Sequence, residues 1–413
     1  MQAHRDMLTG YFLAGIAAAS ARHALPSRLP TVPPIGRTIL LGCGKAAAEM
    51  AAVAIEHLDG AVIGCVVTRQ GHSVPVPPAG ITLIEARHPV PDQSSREAGR
   101  HMLDLAASAG PDDRVLFLIS GGGSALLSAP ADGIDFEEKQ KIGDALVRSG
   151  CPIEDMNLVR RHLSAIKGGR LAALAGRHGA DMVTYIISDV TSEDPALVAS
   201  GPSLAAPFEP ERAIEILGAA GWPVSPALAA AIHANSPPAA MPHPVHVLAT
   251  NGDALDAVAA RARLDGWTVV DLGRSLTGHA ADIGQAHAAI AADYARRPGR
   301  FLLLSGGELT VERARKDGRG GPNLEYLAGL MSRLDPDLAV HALAGDTDGI
   351  DGTQDNAGGY FAAQWVDHAR AQRALSTNQT YDLFADLGGL IITGPTRTNV
   401  NDIRMIAVEG ILR

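Results

Sequence analysis

Two stretches of this chain join an apolar strand to a serine and a run of glycines. Val115–Ile119 leads into Ser120-Gly121-Gly122-Gly123-Ser124, and Phe301–Leu304 leads into Ser305-Gly306-Gly307-Glu308. Glycines after a strand let backbone N–H groups approach an anion that side chains would hold away, and a helix start beyond them favours negative charge. Ser124 can cap such a helix over Ala125-Leu126-Leu127. Each stretch is a candidate cradle for a phosphate or carboxylate. The plainer alternative is a tight strand–helix turn that needs glycine for packing.

Cations sit in or beside other glycine turns: Lys45 in Gly42-Cys43-Gly44-Lys45-Ala46-Ala47, Lys167 and Arg170 around Gly168-Gly169, and Arg319 between Gly318 and Gly320-Gly321. Lys45 heads a helix, where its charge opposes the helix dipole, so an anion is expected to meet it there. Carboxylates gather after two strands: Asp189, Glu193 and Asp194 after one, Asp346, Asp348, Asp351 and Asp355 after the other. Hard oxygen donors of this kind suit Mg²⁺, although Asx turns that cap a helix use the same residues. Neither glycine run has the P-loop pattern. Phosphoryl transfer here would therefore rest on separate cations, a metal and a group that orients the acceptor. Gly42–Ala47 also matches G-x-G-x-x-A, and Arg69 ends the following strand where a 2′-phosphate could be met, so an NADPH-dependent reductase stays open. The histidines lack metal-site spacing, and neither Ser120 nor Ser124 sits in G-x-S-x-G context.

The elements that must position these residues alternate. Strands are expected at Thr38–Leu41, Ala61–Thr68, Ile81–Glu85, Val115–Ile119, Met182–Ile187, Val245–Ala249, Thr268–Leu272, Phe301–Leu304, Ala339–Leu343, Leu390–Thr393 and Arg404–Val408. Helices are expected between them, among them Ser94–Ala107, Phe136–Ser149, Ala254–Asp265, Leu324–Leu334 and Gly359–Ala374. This predicts an α/β fold with largely parallel sheets in both halves, its ligands outside the carboxyl ends of the strands. The proline-rich Ser236–Pro244 marks a domain boundary, giving domains over 1–237 and 238–413. Leu8, Phe12 and Ile16 form one stripe, so the N-terminus reads as an amphipathic helix rather than a signal segment.

With 413 residues the chain exceeds what one core comfortably holds. A net charge of −10 argues against nucleic acid or an anionic membrane as a general partner, but not against small anionic substrates. No run reaches the roughly 18 apolar residues of a membrane span. Three cysteines, Cys43, Cys65 and Cys151, point away from a disulfide scaffold and towards a reducing, cytoplasmic setting.

The motifs LGCGKAAAEMA, LISGGGSALL, LSAIKGGRLA, ISDVTSEDPALVASGP, LSGGELTV, GRGGPNLE, AGDTDGIDG and GPTRTNVND occur in that order from Leu41 to Asp402. Together they resemble the class II glycerate 2-kinases, often labelled hydroxypyruvate reductases, whose C-terminal portion is a leucine-rich module (here about 300–408). The resemblance spans nearly the whole chain. It implies two α/β domains, the first Rossmann-like and three-layered with a mainly parallel sheet, and an active site in the cleft between them. It implies phosphorylation of D-glycerate at its C2 hydroxyl with ATP and Mg²⁺, in a monomer or homodimer. Lys45, Arg319 and Asp189 match the family's cleft lysine, cleft arginine and acidic residue. Ser120, Gly121, Gly122, Gly123 and Ser124, with Lys167, Gly306 and Gly307, are the expected phosphate-binding residues. Lys45, Arg319, Asn323 and Glu308 are expected on glycerate, and Asp189, Asp346, Asp348 and Asp351 on the metal. Leu309 and Leu324 depart from the usual family residues, which bears on substrate scope rather than on reaction class.

Overall fold

The computed structural model describes residues 2–190, 194–239, 241–311 and 317–410. The chain forms two compact units, one of Ala24–Leu248 and one of Met1–His23 with Ala249–Arg413.

The first unit carries strands β1 (Thr38–Cys43), β2 (Val62–Arg69), β3 (Ile81–Ala86), β4 (Arg114–Ser120), β5 (Asp181–Ile187) and β6 (Val245–Ala249) in one sheet ordered β3-β2-β1-β4-β5-β6. β1, β2, β3, β4 and β5 pair in parallel. This is the doubly wound order, in which the chain leaves β1 towards one edge and returns beyond it as β4. Every residue of β1 is buried, as is β4 from Val115 to Ser120, because a parallel sheet is covered on both faces. Leu41, Cys43, Phe117, Ile119 and Ile186 pack against Ala98, Met102 and Ala106 of the Gln93–Ala107 helix and Leu171 and Ala175 of the Arg170–Gly176 helix. A second apolar cluster joins the helices Phe136–Arg148, Ile153–His162, Pro210–Ala219 and Pro226–Ala234 through Ile142, Leu146, Val159, Leu217 and Ile232.

The second unit holds β7 (Thr268–Asp271), β8 (Gly299–Ser305), β9 (Val340–Asp346), β10 (Gly358–Ala362), β11 (Leu390–Ile391) and β12 (Asp402–Gly410), ordered β11-β10-β9-β12-β8-β7. Here the expected parallel sheet is corrected: only β7 and β8 pair in parallel, and every other pairing is antiparallel. The cause is β12, which inserts antiparallel between β8 and β9 and sets Arg404 opposite both Ser305 and Ala344. The helix expected over Gly359–Ala374 is also corrected. Its first residues form β10, whose Tyr360 and Phe361 pair with β9, and a helix begins only at His368, capped by Asp367 through the N–H of Arg370.

The units do not divide at the proline-rich stretch. β6 lies beyond residue 237 yet completes the first sheet beside β5. The Gln2–Ala18 helix buries Leu8, Tyr11, Phe12 and Ile16 within the second unit, packing on the Asn251–Leu264 helix. A cut at 237/238 would strip both elements from the surfaces they cover.

Candidate functional site

In the first unit, β1 and β4 are neighbours whose following segments depart in opposite directions, the place where such sheets open a crevice at their carboxyl ends. Lys45 follows β1 there and Gly121–Ser124 follow β4. The two turns are bolted together: the Lys45 N–H donates to the Gly121 carbonyl at 2.9 Å and the Ala46 N–H to the Ser120 hydroxyl at 2.9 Å. A Cβ on Gly44 would lie 2.2 Å from the Ser120 hydroxyl, so the glycine, at φ +124°, is demanded by this contact. The Ala47 N–H is also used, by the Gly44 carbonyl at 3.2 Å. The Lys45, Ala46 and Ala47 N–H groups, which a dinucleotide fingerprint would turn to pyrophosphate, are thus already used at the head of the Ala47–His57 helix.

The next turn is the remaining candidate for an anion. Gly122, at φ +78°, leads into a helix of only four residues, Gly123–Leu126. The first N–H groups of a helix have no partner inside it. Here the Ala125 and Leu126 N–H groups both turn back to the Gly122 carbonyl, at 3.2 and 3.4 Å, so any donors left are those of the first glycines, and so short a helix has little dipole. A Cβ on Gly122 would lie 3.3 Å from both the Lys45 Cγ and the His88 Nε2, so side chains from the turns after β1 and β3 flank this glycine. His88 was not legible as a site residue, because its Pro89 neighbour marks the segment only as a stiff loop. Ser124 shares a hydrogen bond of 2.8 Å with the Ser200 hydroxyl, which donates to Asn157 at 3.1 Å. Ala199, Ser200 and Gly201 all have left-handed backbone, strain of the kind that collects at functional loops. Lys167 is buried beneath them, donating to the carbonyls of Leu127 at 3.2 Å and Ala199 at 3.4 Å. Burial pushes its ammonium down to about 8.

Asp189 comes from β5. Ser120 pairs with Ile187, so Ser188 and Asp189 continue beside the glycine turn, with the Ser188 hydroxyl accepting the Val190 N–H at 3.2 Å. Lys45, Gly121–Ser124 and Asp189 therefore all follow the carboxyl ends of neighbouring central strands, and Asp189 is half-buried there. Glu193, expected beside it, lies outside the described residues.

The second Ser-Gly-Gly turn is built differently. The Gly306 N–H is spent on the Gly273 carbonyl at 3.0 Å. The Gly306 and Gly307 carbonyls accept from Arg404 at 2.9 and 3.1 Å, and the Arg404 guanidinium also pairs with Asp402. Arg404 is fully buried and Glu308 exposed. The turn thus shows its carbonyls to an internal cation, and Gly306 offers no N–H to a phosphate. Arg404 escaped the sequence reading because it sits mid-strand among apolar residues.

Asn323, expected on the substrate, is buried, and its side-chain amide donates to Asp402 at 2.8 Å and Asp351 at 3.3 Å. Asp351, expected on the metal, caps the Pro322–Met331 helix by accepting the N–H groups of Asn323 at 2.9 Å and Leu324 at 3.0 Å. Burial raises its carboxyl to about 7. Asp346 accepts the Asp348 N–H at 2.9 Å, and Asp348 that of Ile350 at 2.7 Å, an Asx-turn series. Among the described residues no group of three or more His, Cys, Asp or Glu is arranged to hold a metal ion. Arg319 is half-exposed. It pairs with Asp382 at 2.6 Å, and its guanidinium lies over the Tyr381 ring at 4.7 Å.

Residues 7–233 match the family described as Domain of unknown function (DUF4147), and residues 301–402 match the MOFRL family. A protein of Agrobacterium vitis, whose name gives hydroxypyruvate reductase as a provisional assignment, is 43% identical over 91% of this chain and 100% of its own length. A D-glycerate 2-kinase of Thermotoga maritima is 34% identical over 94% of each chain, and a glycerate 2-kinase of Pyrococcus horikoshii 35% identical over 91% of this chain and 88% of its own. The crystal structure of a Thermotoga maritima glycerate kinase superposes with a TM-score of 0.86 at 31% identity, covering 99% of this chain and 100% of that one. With a matching family model over more than half its length and relatives matched nearly end to end, the chain belongs to the glycerate kinase family.

Proposed function

We propose that this chain phosphorylates D-glycerate at its C2 hydroxyl, taking the γ-phosphoryl of ATP and releasing 2-phospho-D-glycerate and ADP. The observation that carries the reading is that Lys45, Gly121–Ser124 and Asp189 follow the carboxyl ends of the adjacent strands β1, β4 and β5, in a chain whose relatives are named glycerate 2-kinases. Phosphoryl transfer asks little covalent chemistry of a protein, mainly positioning and charge. The Gly121–Ser124 turn, with Lys167 below, seats the phosphates. Asp189 orients the C2 hydroxyl and takes its proton as the oxygen bonds to phosphorus and the bond to the β-phosphate oxygen breaks. Lys45 offsets the charge in flight, and Arg319 keeps the carboxylate-binding role that the family resemblance gives it. Mg²⁺ neutralises phosphate charge when bound. It needs only one or two carboxylates beyond the phosphates, a donor set that Asp189 fits and that requires no preformed acidic cluster. Three free cysteines, two of them buried, accord with a reducing cytoplasmic setting.

The test is product identity. Protein, D-glycerate, ATP and Mg²⁺ should yield ADP and 2-phosphoglycerate. Loss of NADPH absorbance with hydroxypyruvate, and no ADP, would overturn the proposal.

A further inference from the structure

A cavity of about 350 Å³ lies wholly within the first unit, against the Ser124 end of the glycine turn. Ile142 and Leu146 of the Phe136–Arg148 helix, with Leu163, give it an apolar lining. Arg148 and one carboxylate, Asp144, also line it, and so do three further cations, Lys139, Arg160 and Lys167. Their hydrogen bonds run to neutral groups: Lys139 to the Ala129 carbonyl at 3.1 Å, Arg160 to the Asn157 side chain at 3.4 Å, and Lys167 to the Leu127 and Ala199 carbonyls. Among the described residues none of the three pairs with a carboxylate.

Lys167 is buried and Lys139 and Arg160 are half-buried, and charge so placed without a counter-ion is costly. The three cations also repel one another. Burial first, then the neighbouring cations, holds the Lys139 ammonium well below its usual range. An arrangement of this kind is retained where an anion completes it. Apolar side chains and cations lining one cavity, within the usual size of ligand pockets, suit a heterocycle carrying phosphates.

We infer that this cavity is the nucleotide site, the base lying against Ile142, Leu146 and Leu163 and the phosphates running over Lys139, Arg160 and Lys167 towards Ser124. The inference rests on the kinase reading and deepens it. It gives the nucleotide a direction, because Ser124 leads back to Gly122, which Lys45 flanks. The terminal phosphate therefore points to the strand ends that Asp189 also follows. It also separates the two glycine turns, assigning the nucleotide to the first.

Gly143 provides a clean probe. It lines the cavity from mid-helix, and a Cβ there would meet nothing within 4 Å. Gly143→Trp fills the cavity, and replacing a helical glycine does not weaken the helix. Lys139→Met removes one cation and keeps its stem. Both variants and the full-length parent are assayed for KM of ATP, KM of D-glycerate, and binding of a fluorescent mant-ADP. Each variant should raise the KM for ATP and the mant-ADP dissociation constant by about tenfold or more, leaving the KM for glycerate within about twofold. A folded Gly143→Trp variant with unchanged ATP KM and mant-ADP binding would overturn the site assignment while leaving the kinase reading intact. A parent that binds mant-ADP, loses it on Gly143→Trp, and makes no ADP would support the cavity and sink the kinase reading.

Discussion

The Ser120 hydroxyl accepts the N–H of Ala46 at 2.9 Å, joining the end of β4 to the turn that follows β1. This bond, with the Lys45-to-Gly121 bond beside it, sets the backbone from which Lys45 projects. Gly44→Ala should cost about 3–5 kcal/mol, since a Cβ would strike Ser120 at a backbone angle that side chains avoid. Adding Ser120→Ala should not rescue it, because the Ser120 carbonyl oxygen also lies 2.3 Å from that Cβ. Chemical denaturation of the single and double variants reads the result. A rescued double variant would refute this account of Gly44.

Lys45 is assigned to charge on the transferring phosphoryl. Lys45→Ala should lower kcat by about 10²-fold or more while leaving the unfolding midpoint close to that of the parent. Near-parental turnover would remove it from the mechanism.

Arg319 is held by Asp382 and by the Tyr381 ring. The pair is about half exposed, so its contribution to stability is under about 1 kcal/mol. Asp382→Asn should therefore leave the melting curve nearly unchanged yet lower kcat by about tenfold as the guanidinium loses its fixed direction. Arg319→Lys should fare worse, because an ammonium cannot keep both the fork and the ring contact. Steady-state kinetics at saturating ATP separates these outcomes.

Arg404 and Asp402 form a buried pair under the second Ser-Gly-Gly turn. Arg404→Met strands a buried carboxylate and two carbonyls, and should destabilise the protein by about 3–5 kcal/mol. Asp402→Asn combined with Arg404→Met should cost less than Arg404→Met alone, since no unpaired charge remains. Urea titrations of the set measure the coupling.

Lys167 titrates at about 8 in the folded protein, so it is charged at pH 7 and largely neutral at pH 9. The KM for ATP should rise across that interval, and Lys167→Met should flatten the rise. Unliganded stability should move oppositely. The unfolded lysine keeps its proton to about 10.4. Between about 8 and 10.4 the unfolded state thus binds more protons, and this group's contribution to stability increases with pH. Thermal melts with and without nucleotide check both signs.

Much of the first unit was legible in its sequence. Runs such as Val115–Ile119, apolar on both faces, declare parallel strands, and a glycine turn after each declares where ligands gather. Lys45 and Asp189 stood out as candidates because a cation or a carboxylate immediately after an apolar strand has few structural reasons to be there. The order of the motifs also carried the family. The second unit was less legible. A strand pairs antiparallel or parallel according to partners far along the chain, so nothing local to Asp402–Gly410 announces that β12 will part β8 from β9. Two Ser-Gly-Gly turns with the same letters came out opposite in kind for the same reason. At Ser120 the turn meets the neighbouring Lys45 segment and leaves a helix start beyond it. At Ser305 the turn folds its carbonyls onto Arg404, nearly a hundred residues away. Local residue type determined which turns could bind an anion. Only tertiary packing decided that the Gly306 N–H was already given to Gly273, because a donor serves a ligand only when the fold has not already used it.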